Sequence, residues 1–338
     1  GGLQEDFHDY SGWMAHAVWQ RYLVNEDRAF AVGLLQSLIR DFERWEEERR
    51  SRDRLFWQYD VRDGMEESVS GSRTEKNRRP TINSYMFGNA EAISKLAELA
   101  GEGEIARRFA DEAELLHLLI QAKLWDPRAR FFKARRESGA LAGVRELIGY
   151  TPWYFSLPDP GYEIAWEQLL DPDGFHAPYG PTTAEQRHPG FTIAYKGDDC
   201  QWNGPSWPFS TSVTLTAMAN LLNNYDQKVI SKADYFDQLL TYSRSQRLEE
   251  EDGSLIPWID ENLHPFTGQW LARAIKIQEG SFNHRGDHYN HSTFCDLVIS
   301  GLVGIRPESA QSLSVNPLVP FEVWDYFALD RILYRGHE

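Results

Sequence analysis

Residues 83–124 read NSYMFGNAEAISKLAELAGEGEIARRFADEAELLHLLIQAKL, and their spacing decides the fold class. Over Asn83–Ala100, the residues Ile93, Leu96, Ala97 and Ala100 recur at three and four positions and make one apolar helical face. Gly101 stops that helix, because glycine readily takes the left-handed conformation that ends one. Over Glu104–Leu124 a second face follows, built from Ile105, Phe109, Leu116, Ile120 and Leu124. The link Gly101–Gly103 is short enough to fold the two helices into an antiparallel hairpin.

Working outward, the same period returns. Tyr10–Leu23 carries Trp13, Met14, Ala17, Val18 and Tyr22; Ala29–Trp45 carries Phe30, Leu34, Leu38, Phe42 and Trp45. The charged run Glu46–Arg54 reads as a solvated helix end. Ser206–Leu222 and Lys232–Arg247 form a second predicted hairpin, and His291–Val303 a last strong helix. Between them lie the long stretches Phe56–Pro80, Asp126–Glu163, Asp171–Pro205 and Glu249–Tyr289, and long loops in a compact domain tend to carry function. Short links on one side and long ones on the other predict a toroid of helical hairpins with the long loops over one mouth. After Pro307, Ser312–Pro320 and Glu322–Tyr334 alternate and read as short strands. The expected division is a helical domain over 1–305 and the start or edge of a β-rich module over 306–338. No βαβ alternation and no glycine-rich phosphate loop appears.

Composition narrows the function. Lys and Arg number 35 against 51 Asp and Glu, a formal charge of −16, which argues against a polyanionic nucleic-acid partner. With 41% apolar residues the chain of 338 can bury a large core, which excludes disorder. Apolar stretches such as Leu297–Ile305 fall short of the ~18–20 residues of a membrane span. The 12 Trp and 15 Tyr suit the flat C–H faces of sugars as well as core packing. Cys200 and Cys295 fit neither a zinc spacing nor a disulfide framework, so one bridge or two thiols are both open. The Gly-Gly start reads as that of a mature or excised piece without a signal peptide. If that aromatic content serves sugar chemistry, a periplasmic or extracellular setting is expected, because polysaccharide-degrading proteins are often exported.

Four constellations carry chemistry-bearing residues. Asp63-Gly-Met-Glu-Glu-Ser68 sets three acids in five positions. Crowded carboxylates do not all ionise easily, so one can keep the proton a general acid needs. In Trp258-Ile-Asp-Glu-Asn-Leu-His-Pro-Phe-Thr-Gly-Gln-Trp270, Asp260 and Glu261 stand between two tryptophans that can shield them from water. Trp202-Asn-Gly-Pro-Ser-Trp-Pro208 is a stiff aromatic corner entering a helix at Pro208. His284-Arg-Gly-Asp-His-Tyr-Asn-His291 could ligate zinc, but Gly286 breaks the helix, so a hydrogen-bonding rim fits better than a metal site. His117 reads as an ordinary helix residue. No G-x-S-x-G elbow or H-E-x-x-H motif occurs, which leaves carboxylate chemistry.

Taken in order, D-G-M-E-E-S, R-P-T-I-N-S-Y, Y-G-P-T-T, W-N-G-P-S-W-P and E-N-L-H-P-F-T-G resemble the catalytic domain of glycoside hydrolase family 63 and its mannosylglycerate-hydrolase-like relatives, over roughly residues 1–305. The resemblance implies an all-α (α/α)6 barrel with a short C-terminal β-rich segment, and inverting hydrolysis with one acid and one base. It points to Glu66 as the acid, where the family usually has Asp after Gly-Met, with Asp63 and Glu67 as rivals, and to Glu261 as the base. Trp202, Asn203, Gly204 and Trp207 match the sugar-contacting corner, and Arg79, Asn83 and Tyr85 the pocket wall. Trp258, Asp63, Glu67 and His291 complete the expected substrate contacts. No cofactor or metal is required, although Asp198 and Asp199 are candidates for a structural calcium. The expected partner is an oligosaccharide or other glycoside, cleaved in exo fashion. A non-catalytic glycan-binding domain and a lyase using Tyr289 with His288 or His291 are the alternatives.

Overall fold

Helix α3 (Pro80–Ala100) begins three residues before the apolar period does, because Pro80 sits at its first position, where the missing N–H is not needed. It is buried over most of its surface, from Ile82 and Asn83 to Leu96 and Ala97, leaving the stripe Phe87, Glu91, Lys95 and Glu98 partly exposed. Gly101 closes it at φ 87°. Its partner α4 (Gly103–Leu124) buries one stripe only, through Ala106, Phe109, Ala113, Leu116, Ile120 and Leu124. A helix buried over most of its surface lies inside, and one that buries a single stripe lies outside it.

The computed structural model describes residues 10–193, 200–250, 252–280, 293–309 and 312–337. Two helices precede α3: α1 (Met14–Asn25) and α2 (Arg28–Arg49), the latter capped by the Asp27 carboxylate on the Phe30 N–H at 3.0 Å. Both pack on α3. Beyond α4 the chain makes the ribbon β1 (Trp125–Asp126) and β2 (Phe131–Phe132), then the one-turn helices α5 (Thr151–Tyr154) and α6 (Glu167–Leu170). Rings fill this segment: Tyr150 lies 4.3 Å from Trp166, and Phe132 and Trp166 each meet Trp153 edge-on. Trp153 and Trp166 have no exposed surface, so part of the aromatic content that suits sugars is core.

The inner–outer pattern repeats in α7 (Pro208–Asn224) and α8 (Lys232–Ser245). The former is buried nearly all round and starts at Pro208. The latter buries Tyr235, Leu239 and Tyr242 and opens with a reciprocal Ser231–Asp234 cap. A ribbon, β3 (Arg247–Glu249) with β4 (Leu255–Pro257), leads to α9 (Leu271–Gln278). Helix α10 (Thr293–Asp296) runs into a π-helical turn at Leu297–Leu302. There the Tyr235 hydroxyl donates to the Leu297 carbonyl at 2.9 Å, and only a glycine fits at 301, since a Cβ would lie 2.0 Å from that oxygen.

Strands β5 (Ile305–Pro307) and β6 (Leu313–Val315) pair antiparallel. The alternating segment Glu322–Tyr334 forms no strand, contrary to its sequence pattern. Nothing pairs with its backbone as a ladder, and Phe321 and Tyr326 are 94% and 86% exposed. Alternation gives a strand only when another strand lies alongside. Among the described residues no helix is long and apolar enough to cross a membrane.

Candidate active site

The aromatic corner at 202–207 joins the motifs that lie apart in sequence. At one end the Trp202 N–H donates to the Glu66 carbonyl at 3.0 Å. At the other, Ser206 and Leu263 exchange both backbone hydrogen bonds, at 3.0 and 2.9 Å, two residues after Glu261. In the middle the Gly204 N–H donates to Thr183 Oγ1 at 3.1 Å, and Thr183 Oγ1 donates to the Pro205 carbonyl at 3.0 Å. Gly204 is obligatory, since a Cβ there would stand 2.1 Å from the Thr192 carbonyl oxygen. The Trp202 and Trp207 rings stack at 4.2 Å with 13° between planes, against Met65 and Ile148. Trp207 Nε1 donates to the Gln201 carbonyl at 2.8 Å. Trp202 Nε1 and Asn203 Oδ1 are buried and make no hydrogen bond among the described residues, an unusual state for buried polar atoms.

The acid loop is built on buried charge. Asp63 pairs with Arg79, and both side chains are 0% exposed. Asp63 also accepts from Thr81 Oγ1 at 2.8 Å and from the Met65 N–H at 3.2 Å. Burial pushes the Asp63 carboxyl above its ordinary range, against the pull of Arg79 and Thr81. Burial also opposes the Arg79 charge, but Asp63, Glu146 and Asp60 together more than offset that and raise its pKa. Ser70 gives both its N–H and its hydroxyl to Glu146. Glu66 is partly exposed, and Glu67, at φ 52°, is exposed and pairs with Arg73 at 2.8 Å. Of the three acids, Asp63 is enclosed, Glu67 faces a surface arginine, and Glu66 lies between them beside the corner.

The expected pocket-wall residues are buried beneath this loop. The Asn83 amide is committed to backbone: it accepts from the Phe56 N–H at 2.8 Å and donates to the Phe56 and Arg79 carbonyls. Tyr85 packs at 4.7 Å from Trp13, and its buried hydroxyl, whose pKa burial and then Asp63 raise well above normal, has no hydrogen-bond partner among the described residues.

Around the second acid the backbone does the holding. Leu263 bridges both Ser206 and Trp270. The Asn262 side chain accepts from the Ala272 N–H at 3.0 Å at the start of α9. Asp260 accepts from the Glu261 N–H at 2.8 Å and from Trp258 Nε1 at 3.2 Å, and Arg273 lies over the Trp258 ring at 4.5 Å. Asp260 and Glu261 are both buried. Gly268 takes φ 76° with Tyr179 against it, which ties in the Tyr-Gly-Pro-Thr-Thr segment. His291 and the whole His284–His291 cluster, and Asp198 and Asp199, lie outside the described residues. Cys200 and Cys295 form no disulfide, and Cys200 packs against the tryptophan stack. A separate cavity of about 780 Å³, lined among others by Trp13, His16, Tyr154, Phe209, Asp296 and Arg306, includes neither Glu66 nor Glu261. Sequence spacing missed Thr81, Ser68 and Glu146, whose roles depend on which buried charge they meet.

Comparison with known proteins accords with these motifs. A structure described as a sialidase matches with 45% identity and a TM-score of 0.91, over 100% of this chain and 30% of that one. The chain therefore spans about three tenths of that relative's length. A GH63 mannosylglycerate hydrolase from Thermus thermophilus, in complex with glucose, matches at 16% identity and TM-score 0.60, over 84% of this chain and 73% of that chain. A GH78 family rhamnosidase of Bacillus sp. GL1 matches at 14% identity and TM-score 0.53, over 90% and 27% of the two chains. These last two likenesses speak to fold alone. No curated protein sequence matches the chain. Residues 1–292 match the mannosylglycerate hydrolase MGH1-like glycoside hydrolase domain, and the chain belongs to that family.

Proposed function

We propose that this domain is an exo-acting, inverting glycoside hydrolase in which Glu66 is the general acid and Glu261 the general base. The single observation that carries the assignment is the corner at 202–207, which bonds to the Glu66 backbone at one end and to Leu263, next to the Glu261 turn, at the other. The fold we infer is the (α/α)6 toroid, supported by the two inner–outer helix pairs, with residues 306–338 as the edge of a β-rich module. In an inverting mechanism the protonated carboxyl gives its proton to the leaving oxygen as the C1–O bond breaks. The opposite carboxylate takes a proton from the water that adds to C1, and the two groups stand about 6.5–9.5 Å apart to admit that water. The burial of Asp63 against Arg79 and the surface pairing of Glu67 with Arg73 favour Glu66 over its rivals. Trp202 and Trp207 are each only 2% exposed, so their stack supports the two acid-bearing loops from within rather than presenting an open face to a sugar. The family's naming for mannosylglycerate, a small glycoside, supports exo action.

Glu66→Gln and Glu261→Gln are each expected to lower kcat by at least about 100-fold with the fold intact, the usual scale of acid–base contributions. Near-normal turnover in either variant removes that residue from the mechanism. Product analysis by NMR, read before mutarotation, is expected to show the inverted anomer first.

A further inference from the structure

The Glu66 loop is gripped from below by one side chain. Arg79 precedes Pro80, so its backbone is forced into the extended region (φ −99°, ψ 147°), and the residue leaves the start of α3 toward the loop. Its Nε donates to Asp63, three residues before Glu66, and its Nη1 donates to Ser68 Oγ, two residues after, at 3.1 Å. Thr81, from the first turn of the same helix, holds the same Asp63 oxygen. Between the two grips the chain takes left-handed conformations at Gly64 (φ 73°) and Glu67 (φ 52°), on either side of Glu66. A non-glycine residue persists there only when its surroundings over-determine it. Above, the Glu66 carbonyl is tied to Trp202. The loop is thus fixed at both ends and at the middle, while Arg79 itself has no exposed surface with which to meet a ligand.

We propose that Arg79 is a positioning residue for the acid: it grips Asp63 and Ser68 across Glu66 and so aims the Glu66 carboxyl at the leaving oxygen, rather than forming the pocket wall. This rests on the assignment of Glu66 as acid. Misplacing a catalytic group by about 1 Å can cost on the order of 100-fold. The loss has a signature, because a leaving group that departs without a proton does not need the acid. In a methyl glycoside the C1–O bond breaks and Glu66 protonates the departing oxygen. In a glycosyl fluoride the C1–F bond breaks, fluoride leaves with the electron pair, and water adds at C1 while passing its proton to Glu261.

The test compares the methyl glycoside and the glycosyl fluoride of one sugar, gluco or manno, in the anomer that the wild type hydrolyses faster. Arg79→Lys is expected to lower kcat on the methyl glycoside at least about tenfold, with KM within about twofold and the fluoride rate within about threefold. Ser68→Ala removes one grip, leaves the buried pair intact, and is expected to shift rates in the same direction by a smaller factor. Glu66→Gln on the same pair separates the two ideas. If it shows no leaving-group dependence, the acid assignment fails. If Glu66→Gln is selective while Arg79→Lys and Ser68→Ala slow both substrates equally, or raise KM with kcat unchanged, the positioning role is overturned and the acid survives.

Discussion

The loop around Glu66 and the turn around Glu261 meet at one aromatic corner but are held by different forces. The loop has main-chain bonds from Asp63 and Met65 to Asp60, from Gly71 to Ser68 and from Trp202 to Glu66, but it is tied to the start of α3 by side chains, the buried Asp63–Arg79 pair with Thr81 and Ser68. The turn is held by main-chain bridges from Leu263 to Ser206 and Trp270 and by the Asn262 cap. A charge clamp is strong only while both partners are present, because a lone buried charge is costly. Backbone bridges share the load among several weaker bonds, so losing one matters less. A single substitution is therefore more damaging under the loop than under the turn.

The largest effect that could break this contrast is Arg79→Met. It strands Asp63, and perturbs Asp60 and Glu146, and is expected to cost about 3–5 kcal/mol in urea unfolding. A loss below about 1 kcal/mol would mean the clamp is not the support we describe.

A pH series sharpens the contrast next, once a titrating group outside both regions is set aside. His16, partly buried beside Tyr154 and Phe155 in the wall of the 780 Å³ cavity, has its pKa pushed down to about 4, by burial first and by Lys95 second. An unfolded histidine titrates near 6.5, so between those values the unfolded chain binds more protons and stability rises with pH. The contribution is present above about 6.5 and is lost as pH falls toward 4, up to about 3 kcal/mol. His16→Gln is expected to flatten urea stability between pH 7 and pH 4.5. If the slope persists, His16 is not its source.

The shared corner is the third target. Gly204→Ala drives a methyl into the Thr192 carbonyl and is expected to cost about 1–3 kcal/mol, with both acids disturbed together. The smallest effect is Asn262→Ala, expected near 1 kcal/mol by thermal melting because the neighbouring bridges stay. If its cost equals that of Arg79→Met, the two modes of support are not distinct.

Much of the helical framework was legible along the chain. The apolar period over Ile93–Ala100, the stop at Gly101 and the proline-led start at Pro208 are local signals, and helices obey local rules. The same rules failed over Glu322–Tyr334, where alternation without a neighbour left the chain without a ladder. The candidate site was legible as motifs but not as roles. Asp63, Glu66 and Glu67 differ little as letters, yet one is sealed against Arg79, one stands beside the corner and one faces Arg73.

By itself, then, the sequence determined the long helices and the motifs that place the chain in its glycoside hydrolase family, but not the short α5 or α9, which lie in stretches read as loops. Tertiary structure alone decided which acids are enclosed and which loops meet. Those outcomes depend on burial and on partners distant along the chain, such as Glu66 with Trp202 and Ser206 with Leu263, and no local pattern encodes contacts of that separation.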